Sequence, residues 1–395
     1  MHSLSAVVLA AGEGRRLRPL TRNRPKPMLP AGNRPFLEFV LDGLLAADVP
    51  EVTIVVGHRG TRIQDHFGAT YRETPITYVQ QAKQLGSGHA LAQAEAAVDD
   101  DALVVNGDQL VDPRIIEAVC EAHASGDAAV TLAALDHDTV ERYGGVSTED
   151  GLVTELVERP TRDSAYLLNA GVYGVTDRVF DAIRELEPSA GERSLPDALT
   201  HLRRTGASIR GIVSEGYWID ATYPWDLLWV ARELFARQLV GGESGRQLSD
   251  AAHIHETAVL QGPVVVGPDA EIGAGAVLGP YVSVGQNVTI EAGAVVANAV
   301  LDSDTRIGAN STLRDCVTGQ GVRVGPANVV TGGPGDVRVG GTVFEGESLG
   351  AVLADRVRTG GDVSFAPGTL VGPDATIRTG VDVRGTIEEG ATVVR

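Results

Sequence analysis

From Ile254 to Val296 a large aliphatic residue recurs at every sixth position: Ile254, Leu260, Val266, Ile272, Leu278, Val284, Ile290 and Val296. A second series follows each of these by four residues: Ala258, Val264, Ala270, Ala276, Val282, Val288, Ala294 and Val300. A glycine often stands directly after the large residue. A repeating six-residue unit describes a parallel β-helix in which each of three faces takes one unit and the large residue points into a stacked core. The rule returns with Leu353, Phe365, Val371, Ile377 and Val383. It breaks over residues 301–352, where residues 331–336 (TGGPGD) read as a protruding loop.

The first 240 residues follow another rule, alternating short apolar runs with amphipathic stretches. Strands are expected at Ala6–Leu9, Val52–Val56, Ile76–Val79 and Leu103–Val105, with helices over 35–47, 61–66 and 87–98 between them. That alternation predicts an α/β, Rossmann-like domain, a mostly parallel sheet with helices on both faces. A closing helix over 225–240 and a glycine-rich linker beginning at Gly241 complete the plan: a first domain over 1–240, a linker over 241–251 and a solenoid over 252–395.

At 395 residues the chain exceeds a single ordinary core, and its 43% hydrophobic content suffices for two. No run of about 18 apolar residues suggests a membrane span. The opening apolar run lacks a basic flank and leads straight into a glycine loop, so it reads as a strand rather than a signal peptide. Cys120 and Cys316 fit no metal or redox spacing, and a cytoplasmic location is expected. With 52 acidic against 33 basic residues the net charge is −19, which argues against nucleic acid as a partner. Only Lys26 and Lys83 are lysines. This composition resembles that of proteins from salt-loving archaea, whose acidic surfaces keep them soluble, so a halophilic archaeon is the expected source; the alternative is an acidic protein from a GC-rich genome.

After the first strand runs LAAGEGRRLRPLTRNRPKPMLP, residues 9–30. A glycine-rich turn at a strand end lets backbone N–H groups close on phosphate oxygens. The spacing is not the dinucleotide fingerprint, because Arg15 and Leu17 stand where further glycines would help. Arg16 and Lys26 add two cations on a loop stiffened by Pro19, Pro25 and Pro27. Further along lie QQAKQLGSGHA at residues 80–90, Asn106-Gly107-Asp108 after a strand, Tyr143-Gly144-Gly145, Val157-Glu158, Asn169-Ala170-Gly171-Val172-Tyr173 and Tyr217-Trp218-Ile219-Asp220. An aspartate at the carboxyl end of a parallel strand sits where open α/β sheets bind ligands.

These motifs, in this order, resemble the signature of the sugar-phosphate nucleotidylyltransferases. Their coupling to hexapeptide repeats resembles the bifunctional N-acetylglucosamine-1-phosphate uridylyltransferase/glucosamine-1-phosphate acetyltransferase family and its archaeal relatives. The resemblance implies a left-handed β-helix, association around a three-fold axis, and Mg²⁺-dependent transfer of UMP or dTMP from UTP or dTTP to glucose 1-phosphate or N-acetylglucosamine 1-phosphate. It implies catalytic roles for Arg16, on the β/γ phosphates, and for Lys26, on the sugar phosphate and α-phosphate. Leu9, Ala11, Gly12, Gly14, Arg15, Gln81, Gly86 and Ser87 are carried over as the nucleotide site. Gly144, Glu158 and Asn169 become the sugar site, with Glu192 as a further candidate, and Asp108 and Asp220 the Mg²⁺ ligands. Because a sugar phosphate is its own anionic nucleophile, no Ser, Cys or His nucleophile is needed. Two alternatives stay open: a second, acetyl-transferring activity in the solenoid, and a non-catalytic regulatory subunit. Against the first, the stretch Leu313–Gly321, where related acetyltransferases carry a histidine, has none, although Asp315 or the distant His255 remain as bases.

Overall fold

The computed structural model describes residues 4–57, 59–98, 101–161, 166–188 and 191–394. It divides into two compact units. The first comprises Met1–Glu13, Pro25–Met28 and Phe36–Ile219; the second Gly14–Arg24, Leu29–Pro35 and Asp220–Arg395.

The first unit is built on one sheet. Ser5–Ala10 lies between Val52–Val56 and Ala102–Asn106, parallel to both, and Thr74–Gln80 continues the parallel series. Side chains of the first strand alternate between two cores: Ala6, Val8 and Ala10 face one, Val7, Leu9 and Ala11 the other. The helices Phe36–Ala46 and Pro113–Ala124 supply apolar residues to the first core, and Ser87–Gln93, Arg178–Glu185 and Leu195–Arg204 supply them to the second. Helices therefore cover both faces, as the periodicity predicts. Burying one such valine or leucine contributes about 1.5–3 kcal/mol, so the interleaved cores hold the strand in register.

The other half of the sheet is less parallel than expected. Leu167–Val175 runs antiparallel to both Ala102–Asn106 and Val130–Leu135. Between Val130–Leu135 and this strand the described chain forms a hairpin, Gly144–Glu149 with Leu152–Glu158, and no α-helix. A parallel return usually runs through a crossover helix, and here a hairpin stands in its place.

The second unit contains a parallel β-helix of three ladders. One runs through His253–Ile254, Glu271–Ile272, Thr289–Ile290 and onward to Thr392–Val393. Arg246–Leu248 forms the first rung of another, pairing with Val264–Val266 ahead of the expected start at residue 252. Val266, Ile272, Leu278, Val284, Ile290 and Val296 all lie in one core, joined by Leu353, Phe365, Val371, Ile377 and Val383.

The apparent break in the repeat is a change of phase. Val264 pairs with Val282, eighteen residues on, but Val282 pairs with Ala299 and Ala299 with Cys316, seventeen residues on each time. One residue lost from a coil moves every later residue off the six-residue grid. Val300 accordingly misses the core position: Ala299 and Leu301 point into it, and Val300 pairs with Ser283 on the opposite face of the strand. The expected loop at 331–336 runs into an antiparallel hairpin, Gly335–Val339 with Thr342–Glu347, inserted between rungs that pair Cys316 with Ala351. Among the described residues, no helix is long and apolar enough to cross a membrane.

Candidate active site

In the first unit the motifs collect at the carboxyl ends of adjacent parallel strands. Ala11 and Gly12 follow the first strand, Gly57 the second, Gln81 the third and Asp108 the fourth. These ends are fastened together by hydrogen bonds to backbone carbonyls. Gly107 N–H donates to the Leu9 carbonyl at 2.9 Å, and Gln84 Nε2 donates to the Ala11 carbonyl at 2.9 Å. A Cβ on Gly57 would lie 2.4 Å from the Ala11 oxygen, so only glycine permits this approach. Leu9 and Ala11 are buried, whereas Gly12 is exposed with nothing within 4 Å of where a Cβ would be. Open backbone at a strand end suits a phosphate chain.

Lys26 begins a 3₁₀ turn, Lys26–Met28, between two prolines. It is only 8% exposed, yet its Nζ reaches Asp108 Oδ2 at 2.9 Å. The carboxylate is a third exposed. A buried cation thus meets a part-exposed anion at the sheet edge, the two charges that a phosphate and a divalent ion would each engage.

Around Gln81 the geometry is tightly specified. Its Nε2 donates to the Gly86 carbonyl at 3.1 Å and lies 2.9 Å from His89 Nδ1. Burial first, and Arg193 second, lower the His89 pKa, which favours the neutral ring; an amide donor on Nδ1 matches the tautomer with its proton on Nε2. With both amide protons engaged, Gln81 offers a ligand its carbonyl oxygen. Gly86 sits at φ 98°, and a Cβ there would come within 2.5 Å of the Arg193 oxygen. Ser87 Oγ accepts from the Leu195 N–H at 2.9 Å, and the Arg193 carbonyl receives the N–H groups of Gly88 and His89.

Gly144, Glu158 and Asn169 converge. Gly144 is the register partner of Glu158, and a Cβ on it would lie 3.8 Å from Glu158 Oε1 and 3.7 Å from Asn169 Cβ. A register shift between Asn169 and Tyr173 and the positive φ of Gly171 turn the strand here. Such a bulge re-aims a side chain. Asn169 Oδ1 accepts the Gly171 N–H at 3.2 Å, and its amide supports the fully buried Tyr173 hydroxyl, whose pKa burial raises. Tyr143, Trp218 and His137 pack edge-to-face beside this site, with the Trp218 indole donating to the Ala170 carbonyl at 3.1 Å. Glu192 is exposed.

Gly14, Arg15, Arg16 and Asp220 belong to the second unit. Gly14 (φ 60°) leads into the 3₁₀ turn Arg15–Leu17, and Thr21 Oγ1 donates to its carbonyl at 2.8 Å. Arg15 and Arg16 are exposed. Asp220 is 5% exposed and accepts from Thr222 Oγ1 at 3.0 Å. The N–H groups of Thr222 and Tyr223 both donate to Asp226 Oδ2, fixing the loop onto the helix Asp226–Ala236. In the solenoid, Asp315 accepts from Asn298 Nδ2 and from the Gly333 N–H, both within its own scaffold.

Sequence reasoning passed over Thr21, Gln84, Tyr173, Thr222 and Arg24. Thr21, Gln84 and Arg24 lie inside the quoted motifs, so position alone was available to flag them. Tyr173 likewise closes the quoted motif Asn169–Tyr173, whereas Thr222 carries no such signal beyond lying close to Asp220.

The nucleotidyl transferase family model matches residues 5–236, more than half of the chain, and the GMPPB C-terminal domain model matches 260–388. The bifunctional protein GlmU of Methanococcus maripaludis is 30% identical over 99% of this chain and 97% of its own length. The UTP–glucose-1-phosphate uridylyltransferase AglF of Haloferax volcanii is 35% identical, covering 56% of this chain and 93% of its own. A solved UDP-glucose pyrophosphorylase in complex with UDP-glucose shares the fold, with TM-score 0.53 at 21% identity over 60% of this chain and 99% of that one. With its sheet-edge motifs and its β-helix each matched in chain order, the protein belongs to the nucleotidyl transferase family.

Proposed function

We propose that the protein transfers a nucleotidyl group from UTP or dTTP to glucose 1-phosphate or N-acetylglucosamine 1-phosphate, releasing pyrophosphate. The observation that carries this reading is the buried Lys26 paired at 2.9 Å with Asp108 at the sheet's carboxyl edge. Two anions must meet for the reaction to occur, so positioning and cations supply most of the acceleration. Lys26 holds the sugar phosphate against the α-phosphate. Arg16 takes up charge gathering on the departing pyrophosphate. The Gln81 carbonyl accepts the imide N–H common to uracil and thymine, which cytosine lacks at that position. Glu158 and Asn169 bind sugar hydroxyls beside Gly144, where a side chain would intrude. Ala11, Gly12, Gly14 and Arg15 line the phosphates, while Leu9, Gly86 and Ser87 shape the nucleotide site.

Asp108 and Asp220 are the carboxylates assigned to Mg²⁺. Among the described residues no three His, Cys, Asp or Glu side chains form a metal cage. That suits an ion which takes one or two carboxylates and completes its shell with phosphates and water. When bound, it supplies charge neutralisation at the phosphates.

A cytoplasmic homotrimer, or a multiple of it, is our reading of its location and assembly; light scattering at molar salt giving a monomer would remove the trimer. The reaction is tested by incubating UTP and dTTP with each sugar phosphate and following pyrophosphate. Release dependent on enzyme, sugar phosphate and Mg²⁺ is expected. No release from any pair defeats the proposal.

A further inference from the structure

Residues 14–24 carry Arg16, and the Thr21 hydroxyl closes the segment on itself by donating to the Gly14 carbonyl at 2.8 Å. Its regular structure is two 3₁₀ turns, Arg15–Leu17 and Leu20–Arg22, with backbone bonds such as Leu17 N–H to Gly14 and Arg22 N–H to Pro19. Turns this short are not stable alone. Leu17 and Leu20, each 1% exposed, are buried, but apolar burial is non-directional and does not fix the path of a chain.

Arg24 provides direction. It is 5% exposed, and its guanidinium pairs with two solenoid carboxylates: Asp302, through Nη1, and Asp355, whose Oδ1 is 2.8 Å from Nη2. The two aspartates come from different coils. Leu301 pairs with Thr318 and Thr318 with Leu353, so Asp302 and Asp355 flank the coil that carries Gly319 and Gln320. Each carboxylate is locked by backbone: Asp302 Oδ1 accepts the Ser303 N–H at 2.7 Å, and Asp355 Oδ1 accepts the Gln320 N–H at 3.0 Å. At Gly319 a Cβ would lie 2.4 Å from Asp355 Oδ1, so the coil is glycine where the carboxylate passes. A guanidinium fork matches such fixed acceptors as an ammonium cannot.

We propose that Arg24 is a positioning residue: clamped by Asp302 and Asp355, it makes the β-helix the template on which the signature loop carrying Arg16 is set for nucleotidyl transfer. The solenoid then serves the transfer reaction itself, whether or not it has chemistry of its own. The kinetic part of this proposal rests on the function proposed above; the structural part does not.

The test uses full-length protein with Asp355→Asn, Asp302→Asn, Arg24→Lys and Arg24→Met, and Asp374→Asn as control. Asp374 pairs with Arg356 on the exposed surface of the same solenoid, 2.7 Å apart. Amide exchange of residues 14–24 and of the solenoid rungs is followed by mass spectrometry without ligand, and kcat and KM by pyrophosphate release. Asp355→Asn and Arg24→Met are expected to speed exchange in 14–24 at least about tenfold with the distant rungs unchanged. The same variants should lower kcat by something on the order of a hundredfold, the cost of a small misplacement. Arg24→Lys should fall between, and Asp374→Asn should match wild type. Should Asp355→Asn not fold, Asp302→Asn, at the more exposed of the two carboxylates, carries the comparison. Exchange that rises throughout the solenoid but not selectively in 14–24 overturns the proposal, as does a loosened loop with wild-type kcat. Wild-type protein that transfers nothing defeats the proposed function instead, and the exchange result still decides the clamp.

Discussion

Asp108→Asn separates the two roles that one carboxylate is asked to play. In the folded protein Asp108 neutralises Lys26 at 2.9 Å; during turnover it is assigned to Mg²⁺. At an effective dielectric of about 20 the gross attraction of the pair is about 6 kcal/mol. Most of that is offset, because Lys26 lost hydration on burial and Asp108, a third exposed, is screened by water. The net loss of stability should be about 1–2 kcal/mol, well within what a chain of this size tolerates. The kinetic effect should be much larger, about 10²–10³ in kcat, with a raised Mg²⁺ requirement. Lys26→Met gives the complementary result: kcat falls, but the Mg²⁺ requirement stays level or drops, since a competing cation has left the carboxylate. Pyrophosphate release across a Mg²⁺ titration, with urea unfolding in parallel, measures both. Asp108→Asn with near-wild-type kcat at saturating Mg²⁺ would refute the assignment, and a raised Mg²⁺ requirement in Lys26→Met would refute the competition.

Gly86→Ala should cost about 2–4 kcal/mol, from a φ of 98° and the Arg193 oxygen in its path, and should raise KM for the nucleotide through displacement of Gln81; an unchanged KM would mean Gln81 is held without Gly86. Burial lowers the pKa of His123, with Asp101 acting against it, so the unfolded chain takes up a proton that the native state resists. Stability should therefore be complete above about pH 6.5 and fall as the pH drops through that value, and urea midpoints of His123→Gln should show a flatter slope. Acetyl-CoA with glucosamine 1-phosphate should release no thiol: Asp315 is already hydrogen-bonded to Asn298 and Gly333, and His255 lies on the first coil beside Thr257. Stoichiometric enzyme-dependent thiol release would show that a base exists.

The parts of the fold that sequence makes legible are those set by neighbours a few residues away. Val52–Val56 is a strand over its whole predicted length because a run of β-branched residues buried on both faces has few other solutions. The helix expected over 35–47 forms as Phe36–Ala46. The six-residue grid is readable while the coils keep eighteen residues and vanishes where they shorten to seventeen, although the stacking of Ile290 on Ile307 and Ile307 on Val324 continues without interruption. A fixed-period search reads phase, whereas the solenoid conserves only the inward position. The antiparallel strand at Leu167–Val175 escaped notice for a related reason, since strand direction depends on the connection and not on the residues of the strand.

The site divides along the same line. Lys26 and Asp108 were each legible from their flanking prolines and strand end, but their pairing joins positions 82 residues apart, and nothing local announces it. Arg24 is the sharper case. Within the motif it looks like one more cation in a basic loop, and its meaning comes from aspartates 278 and 331 residues further on. Composition argues in the same direction: in a chain with 52 acidic residues, an arginine buried between two of them contributes little to net charge or solubility, and its value lies in geometry. The second unit accordingly takes in Gly14–Arg24 and Leu29–Pro35 as well as the chain from Asp220 onward. Lys26 takes its meaning from the strand end that carries Asp108, Arg24 from the coils that carry Asp302 and Asp355, and the single proline between them in sequence gives no sign of the change.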